Sequence, residues 1–233
     1  EEIVSYLENT FFSSNDLQGK KALVTAGPTY EALDPVRYIG NHSSGKMGIA
    51  IARELAARGA VVTLVLGPAA LSDALSDRIA VKKVQSAAEM FAVCTEHFEQ
   101  SDIAVMAAAV ADYTPVATAA AKIKKEGEKL TIELTKTKDI LKTLGQQKKA
   151  HQVLVGFALE TDHEIENARK KLTEKNADFI VLNSLNDEGA GFGYDTNKIT
   201  ILEKGGQDTA FARKAKPEVA TDIVDKIVKV LYA

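Results

Sequence analysis

Apolar runs of strand length alternate along this chain with stretches of helical period, and that alternation limits the architecture more than any other feature. ALVTA (22–26), VVTLVL (61–66), AVKKV (80–84), IAVMAAA (103–109), LTIEL (130–134), VLVGFALET (153–161) and DFIVLN (178–183) read as strands. Ile49 to Arg58, Ala87 to Phe98, Asp139 to Gly145, Asp162 to Lys175 and Pro217 to Leu231 read as helices. A strand, a helix and a further strand make a parallel crossover. The expected class is therefore α/β, a doubly wound, mostly parallel sheet with helices on both faces. One domain is expected over residues 20–233. EEIVSYLENTFF reads as a short amphipathic helix, and SSNDLQG as a spacer. The chain begins with Glu1 rather than Met, so residues 1–19 read as a linker from an upstream domain.

Ligands of such sheets bind beyond the carboxyl ends of the strands. Two connections there are long enough to carry function. The first is VTAGPTYEALDPVRYIGNHSSGKMG (24–48), where Gly27-Pro28 stops a strand and Asp34-Pro35 forces a turn. Asn41, His42, Ser43 and Ser44 lead into the helix that starts near Gly45, and free N–H groups at a helix start favour an anion. Gly40 to Lys46 imitate a phosphate loop until Met47, a thioether where a magnesium-binding hydroxyl is required, so that reading fails. The second connection, AVADYTPVATAAAKIKKEG, follows strand IAVMAAA. Its small residues Ala107 to Ala109 suit either close ligand approach or packing, and Asp112 stands where a polar group would face a site.

Charge separates the partner classes. The formal net charge is -3, with both signs interspersed, which argues against a nucleic-acid binder. From Lys122 to Lys149, however, nine lysines stand against four acidic residues, an excess suited to a small polyanion such as a triphosphate. Lys171 and Lys175, four apart on one helix face, suit either phosphate or water. Phe157 suits either a base or the core. No apolar run reaches membrane-spanning length and no signal peptide is apparent, so a cytoplasmic location without membrane contact is expected. The single cysteine, Cys94, shares helical spacing with Met90, Phe91 and Phe98 and reads as a buried thiol. NDEGAGFGYDTNKITIL precedes a strand, not a helix, and is no dinucleotide fingerprint.

GPTYEALDPVRYIGNHSSGKMG, AAAVADY, KIKK, GFALET and the helix ending KNAD together resemble the bacterial, CTP-using phosphopantothenate-cysteine ligases, from about Leu17 onward. That resemblance implies a Rossmann-like fold, a homodimer, and a fused or separate flavin-dependent phosphopantothenoylcysteine decarboxylase as partner. It also implies a reaction. 4′-Phosphopantothenate, L-cysteine and CTP, with Mg2+, give phosphopantothenoylcysteine, CMP and pyrophosphate through an acyl-cytidylate. Carried onto this sequence, Lys122 serves acyl-cytidylate formation, while Asn41 and Arg37 handle the intermediate. Gly27, Arg37, Asn41, Ser43, Ser44 and Gly45 belong to phosphopantothenate. Ala108, Ala109, Asp112, Lys122, Lys138, Asp139, Ile140, Leu141, Phe157, Lys171 and Lys175 belong to the nucleotide, with Asp112 as the metal ligand. TKTKDIL departs from the family, since many relatives have proline where Lys138 stands, and this puts loop rigidity in question. The rival readings are a nicotinamide- or flavin-dependent oxidoreductase, which lacks its G-x-G-x-x-G turn here, and a noncatalytic nucleotide-binding module.

Overall fold

The computed structural model describes residues 14–71, 74–125, 127–160, 162–184 and 194–233. The helix expected at the amino terminus lies outside them. The strands are β1 (Lys21–Ala26), β2 (Tyr30–Ala32), β3 (Tyr38–Gly40), β4 (Val61–Leu66), β5 (Ile79–Lys83), β6 (Ile103–Met106), β7 (Tyr113–Pro115), β8 (Leu134–Lys136), β9 (Val153–Glu160), β10 (Phe179–Ser184), β11 (Thr196–Asn197), β12 (Ile199–Glu203), β13 (Asp208–Ala210) and β14 (Lys214–Ala215). The helices are α1 (Lys46–Ala57), α2 (Ala87–Phe98), α3 (Ile140–Gln147), α4 (Glu164–Glu174) and α5 (Lys216–Leu231).

Eight strands form the main sheet in the order β13-β12-β10-β9-β6-β1-β4-β5. From β10 to β5 every pairing is parallel, and β12 and β13 close one edge antiparallel. The core divides by face as the side chains of β1 alternate. Ala22, Val24 and Ala26 pack with Ile51 and Leu55 of α1 and Ile223 and Ile227 of α5. Leu23 packs with Met90, Cys94 and Phe98 of α2, Leu144 of α3 and Leu172 of α4. The doubly wound, Rossmann-like architecture expected from the alternation is the one observed. β1 lies between β4 and β6, so the winding direction reverses beside it, and the loops leaving β1 and β6 flank that switch point.

Two expectations need correction. LTIEL is not a core strand, because β8 covers only Leu134–Lys136 and pairs antiparallel with β7 away from the main sheet. Its alternation points at no core, and Leu130 and Leu134 are exposed. The first loop is not wholly irregular either, since β2 and β3 form a small hairpin within it. Three-residue strands are too short to register as a period.

At α1 the helix nearly touches the strand it covers. A Cβ on Gly48 would lie 2.6 Å from the Ala26 Cβ and 2.7 Å from the Thr25 carbonyl oxygen. Gly48→Ala should therefore lower the free energy of unfolding by about 1–3 kcal/mol in chemical denaturation, and an unchanged midpoint would contradict this packing. Cys94 is buried as expected, and burial pushes its thiol up to about 12. Thiol reagents at neutral pH should label it only as fast as the protein opens, and rapid labelling of folded protein would contradict that burial.

Candidate functional site

The loops after β1 and β6 are bonded to each other. The Ala109 N–H donates to the Gly27 carbonyl (2.9 Å), and the Thr29 N–H to the Ala109 carbonyl (3.4 Å). Thr25 Oγ1 accepts from the Ala108 N–H (3.1 Å), and Thr29 Oγ1 from the Ala111 N–H (3.0 Å). Asn41 joins the same assembly by donating Nδ2–H to the Val110 carbonyl at 2.9 Å. Gly27 takes φ 82° and Gly45 takes φ 73°, left-handed values that suit glycine, and Gly45 caps the start of α1. Ser43 Oγ accepts from the Gly45 N–H at 3.3 Å.

A cleft with two lobes opens over this switch point. Ala108, Val110, Asp112, Phe157 and Lys171 form the wall common to both lobes. The first lobe, about 500 Å³, is completed by Thr25, the segment from Lys136 to Leu141 and Lys175. Of the residues expected to bind nucleotide, Ala109 lines only the second lobe and Lys122 lines neither. The second lobe, about 560 Å³, takes Asn41, Ser43, Ser44 and Gly45 from the first loop. Gly27 and Arg37 do not line it. Gly27 serves the bond to Ala109, and Arg37 points its guanidinium at Asp34 and at the Ile123 carbonyl.

Lys138 reaches the cleft by its backbone side, because its ammonium stands 4.9 Å from the Phe91 ring centroid. The segment is held firmly without proline. The Thr137 N–H donates to the Asp112 carbonyl (2.9 Å) and its hydroxyl to the Ala111 carbonyl (2.7 Å). Asp139 caps α3 by accepting from the Lys142 N–H (2.8 Å), and it pairs with Lys175 at 2.7 Å. Burial pushes the Asp139 carboxyl up, but the Lys175 ammonium and the Lys142 N–H outweigh it, so the net shift is below the ordinary value. Burial lowers the Lys171 ammonium, opposed by Glu160 and Asp139. An added polyanion would oppose that lowering.

The described residues contain no cluster of three or more acidic, histidine or cysteine side chains able to cage a metal. Asp112 and Asp139 are carboxylates of the first lobe, and Asp139 is engaged by Lys175. One carboxylate with phosphate oxygens and water is a pattern that suits magnesium arriving with a nucleotide.

Sequence reading missed four polar residues of the second lobe. Lys46 pairs with Asp195 at 2.6 Å, and Asn183 accepts from Asn197 Nδ2 at 3.1 Å. Lys216, which donates to the Tyr194 carbonyl, is buried, and burial together with Lys46 lowers its ammonium. Asn183, at the carboxyl end of a strand, and Lys46, inside the first loop motif, had a usable signal. Asn197 and Lys216 come from distant parts of the chain.

The depressed Asp139 carboxyl contributes stability above the ordinary carboxylate value of about 4, and this is lost as pH falls through the folded-state value. Asp139→Ala should cost about 1 kcal/mol in urea unfolding at pH 7 and less at pH 3. A cost that is the same at both pH values would contradict the ionic part of this account.

Residues 17–231 match the family described as DNA/pantothenate metabolism flavoprotein C-terminal domain. The coenzyme A biosynthesis bifunctional protein CoaBC of Bacillus subtilis is 45% identical over 97% of this chain and 56% of its own length. A protein named cysteine/cysteine sulfinic acid decarboxylase, from an unknown prokaryotic organism, is 51% identical over 99% of this chain and 64% of its own length. The chain thus spans between about half and two thirds of these relatives. Among solved structures, the C-terminal domain of a CoaBC protein superposes with a TM-score of 0.79 at 42% identity, covering 94% of this chain and 99% of that domain. A mutant of Cab2 in complex with phosphopantothenate-cysteine matches with a TM-score of 0.73 at 16% identity, covering 99% of this chain and 91% of that one, and shares the fold. The motif resemblance and these matches agree, and the chain belongs to the DNA/pantothenate metabolism flavoprotein C-terminal domain family, together with the carboxyl-terminal part of CoaBC.

Proposed function

We propose that this chain is a phosphopantothenate-cysteine ligase that uses CTP. The observation that supports this most is the two-lobed cleft at the switch point, in which the first loop and the lysine-bearing wall face each other across Ala108, Val110 and Phe157. In this reading the first lobe takes the nucleotide. Phe157 lies beside the base or sugar, the backbone from Lys138 to Leu141 reads the base, and Lys171 and Lys175 neutralise phosphate. The second lobe takes 4′-phosphopantothenate against Asn41, Ser43, Ser44 and Gly45. Cysteine, the proposed amine substrate, also appears in the name of one relative.

The chemistry has two steps. A carboxylate oxygen of phosphopantothenate attacks the α-phosphorus of CTP, the bond to the leaving pyrophosphate breaks, and an acyl-cytidylate forms. The cysteine amine then attacks the acyl carbon, loses a proton and displaces CMP. Asp112 would help hold Mg2+ bound with the triphosphate, and the ion would supply positive charge that offsets the phosphates. Lys122 stabilises the charge that develops as pyrophosphate leaves, while Asn41, held by Val110, orients the acyl group for the second step.

The assembly belongs to the same proposal. Val36 and Tyr38 at the β2–β3 hairpin and Tyr113 and Leu134 on the β7–β8 pair are exposed and largely apolar, which suits a homodimer. A fused or separate flavin-dependent decarboxylase and a cytoplasmic location go with this reading. The oxidoreductase alternative gains no support, because a hairpin occupies the connection where a short glycine turn would cradle a dinucleotide.

Quenched reactions followed by mass spectrometry test the division of labour. Lys122→Gln should suppress acyl-cytidylate by about 100-fold, whereas Asn41→Asp should let it accumulate while product falls by a similar factor. Loss of both steps equally in both folded variants would refute it.

A further inference from the structure

Asp34 is the most heavily bonded side chain near the cleft, yet it lines neither lobe. Its side chain is fully buried. Oδ1 accepts from the Val36 N–H (2.8 Å) and the Arg37 N–H (2.9 Å), which closes the turn between β2 and β3. Oδ2 accepts from Arg37 Nε (2.9 Å) and Nη2 (2.5 Å), and also from the Ile123 N–H (3.1 Å). Arg37 Nη2 donates in turn to the Ile123 carbonyl at 2.9 Å. One carboxylate and one guanidinium therefore hold both backbone groups of a single residue 86 to 89 positions away in the sequence.

That residue adjoins Lys122. Among the described residues, those between Ala119 and Glu133 are hydrogen-bonded to the rest of the chain only at Ile123, and the lysines around it are exposed. A mobile lysine segment loses conformational freedom whenever it delivers an ammonium to a phosphate. A fixed point one residue away removes much of that cost in advance.

We propose that Asp34 is a positioning residue that, with Arg37, clips the backbone of Ile123 and so sets where Lys122 stands when the nucleotide is bound. Arg37 then acts on the reaction through the clip instead of through a place in the cleft wall. The idea rests on the ligase reading for its consequence in catalysis, but the clip is independent of it. Both Asp34 oxygens already face N–H donors, so an amide in its place would set its own N–H groups against either the two at Oδ1 or the three at Oδ2.

Amide hydrogen exchange on the full chain tests the clip without turnover. In Asp34→Asn the Ile123 amide should exchange at least about tenfold faster, the loss of one charge-assisted hydrogen bond, while amides of β1 keep their rates. Arg37→Lys, which keeps the charge but not the fork, should speed the same amide by a smaller factor. In single turnover, formation of the acyl-cytidylate should fall by about tenfold in Asp34→Asn, with the CTP concentration for half-saturation unchanged within about twofold. Should Asp34→Asn lose its fold, the Arg37→Lys result decides. Unchanged protection at Ile123 in a folded variant overturns the clip. Lost protection with an undiminished first step overturns the positioning role. A wild-type chain that forms no acyl-cytidylate contradicts the ligase reading, and the exchange data then decide the clip alone.

Discussion

The hydrogen bonds that join the loop after β1 to the loop after β6 are what the candidate site depends on. In a parallel sheet the two strand ends point the same way and their loops would diverge into solvent. Here Thr25 and Thr29 present their hydroxyls to Ala108 and Ala111, and Gly27 and Ala109 exchange backbone bonds with their surroundings. Each bond contributes about 1 kcal/mol, and their larger effect is geometric. They carry Asn41 onto Val110, set Gly45 at the head of α1, and leave the small side chain of Ala108 in the wall shared by the two lobes.

Charge is distributed over that frame in two groups. Lys175 lines the first lobe, with Asp139 holding it in place, Lys171 stands in the wall common to both, and Lys46 and Lys216 line the second, with Asp195 and the Tyr194 carbonyl as their partners. Burial lowers the ammonium groups of Lys171 and Lys216, so each is held at some cost in its charged form. Such groups gain most when an anion arrives. A chain that is net negative thus lines one cleft with lysines in both lobes, a distribution suited to phosphorylated ligands.

Much of this was legible in the residues. Strand-length apolar runs and helical stripes predicted the parallel sheet, and α2 begins and ends where its period does, at Ala87 and Phe98. Elements that face no core were not legible. The hairpin of β2 and β3 and the pair of β7 and β8 are held by local bonds and leave no period, and LTIEL looks like a strand with a buried face it does not have. In the site, the loop motifs pointed to Asn41, Ser43, Ser44 and Gly45, which line one lobe, and also to Gly27, Arg37 and Lys122, which line neither. The reach of Asp34 and Arg37 to Ile123 and the burial of Lys216 could not be read in advance, because each depends on partners fixed only by tertiary contact.

The most direct test of the central claim is pyrophosphate release by the purified chain with magnesium, comparing CTP with ATP and leaving out 4′-phosphopantothenate or L-cysteine in turn. Release that requires phosphopantothenate and prefers CTP is the expected result. Release without phosphopantothenate, or none from folded protein with either nucleotide, would contradict the assignment of the cleft to acyl-nucleotide chemistry.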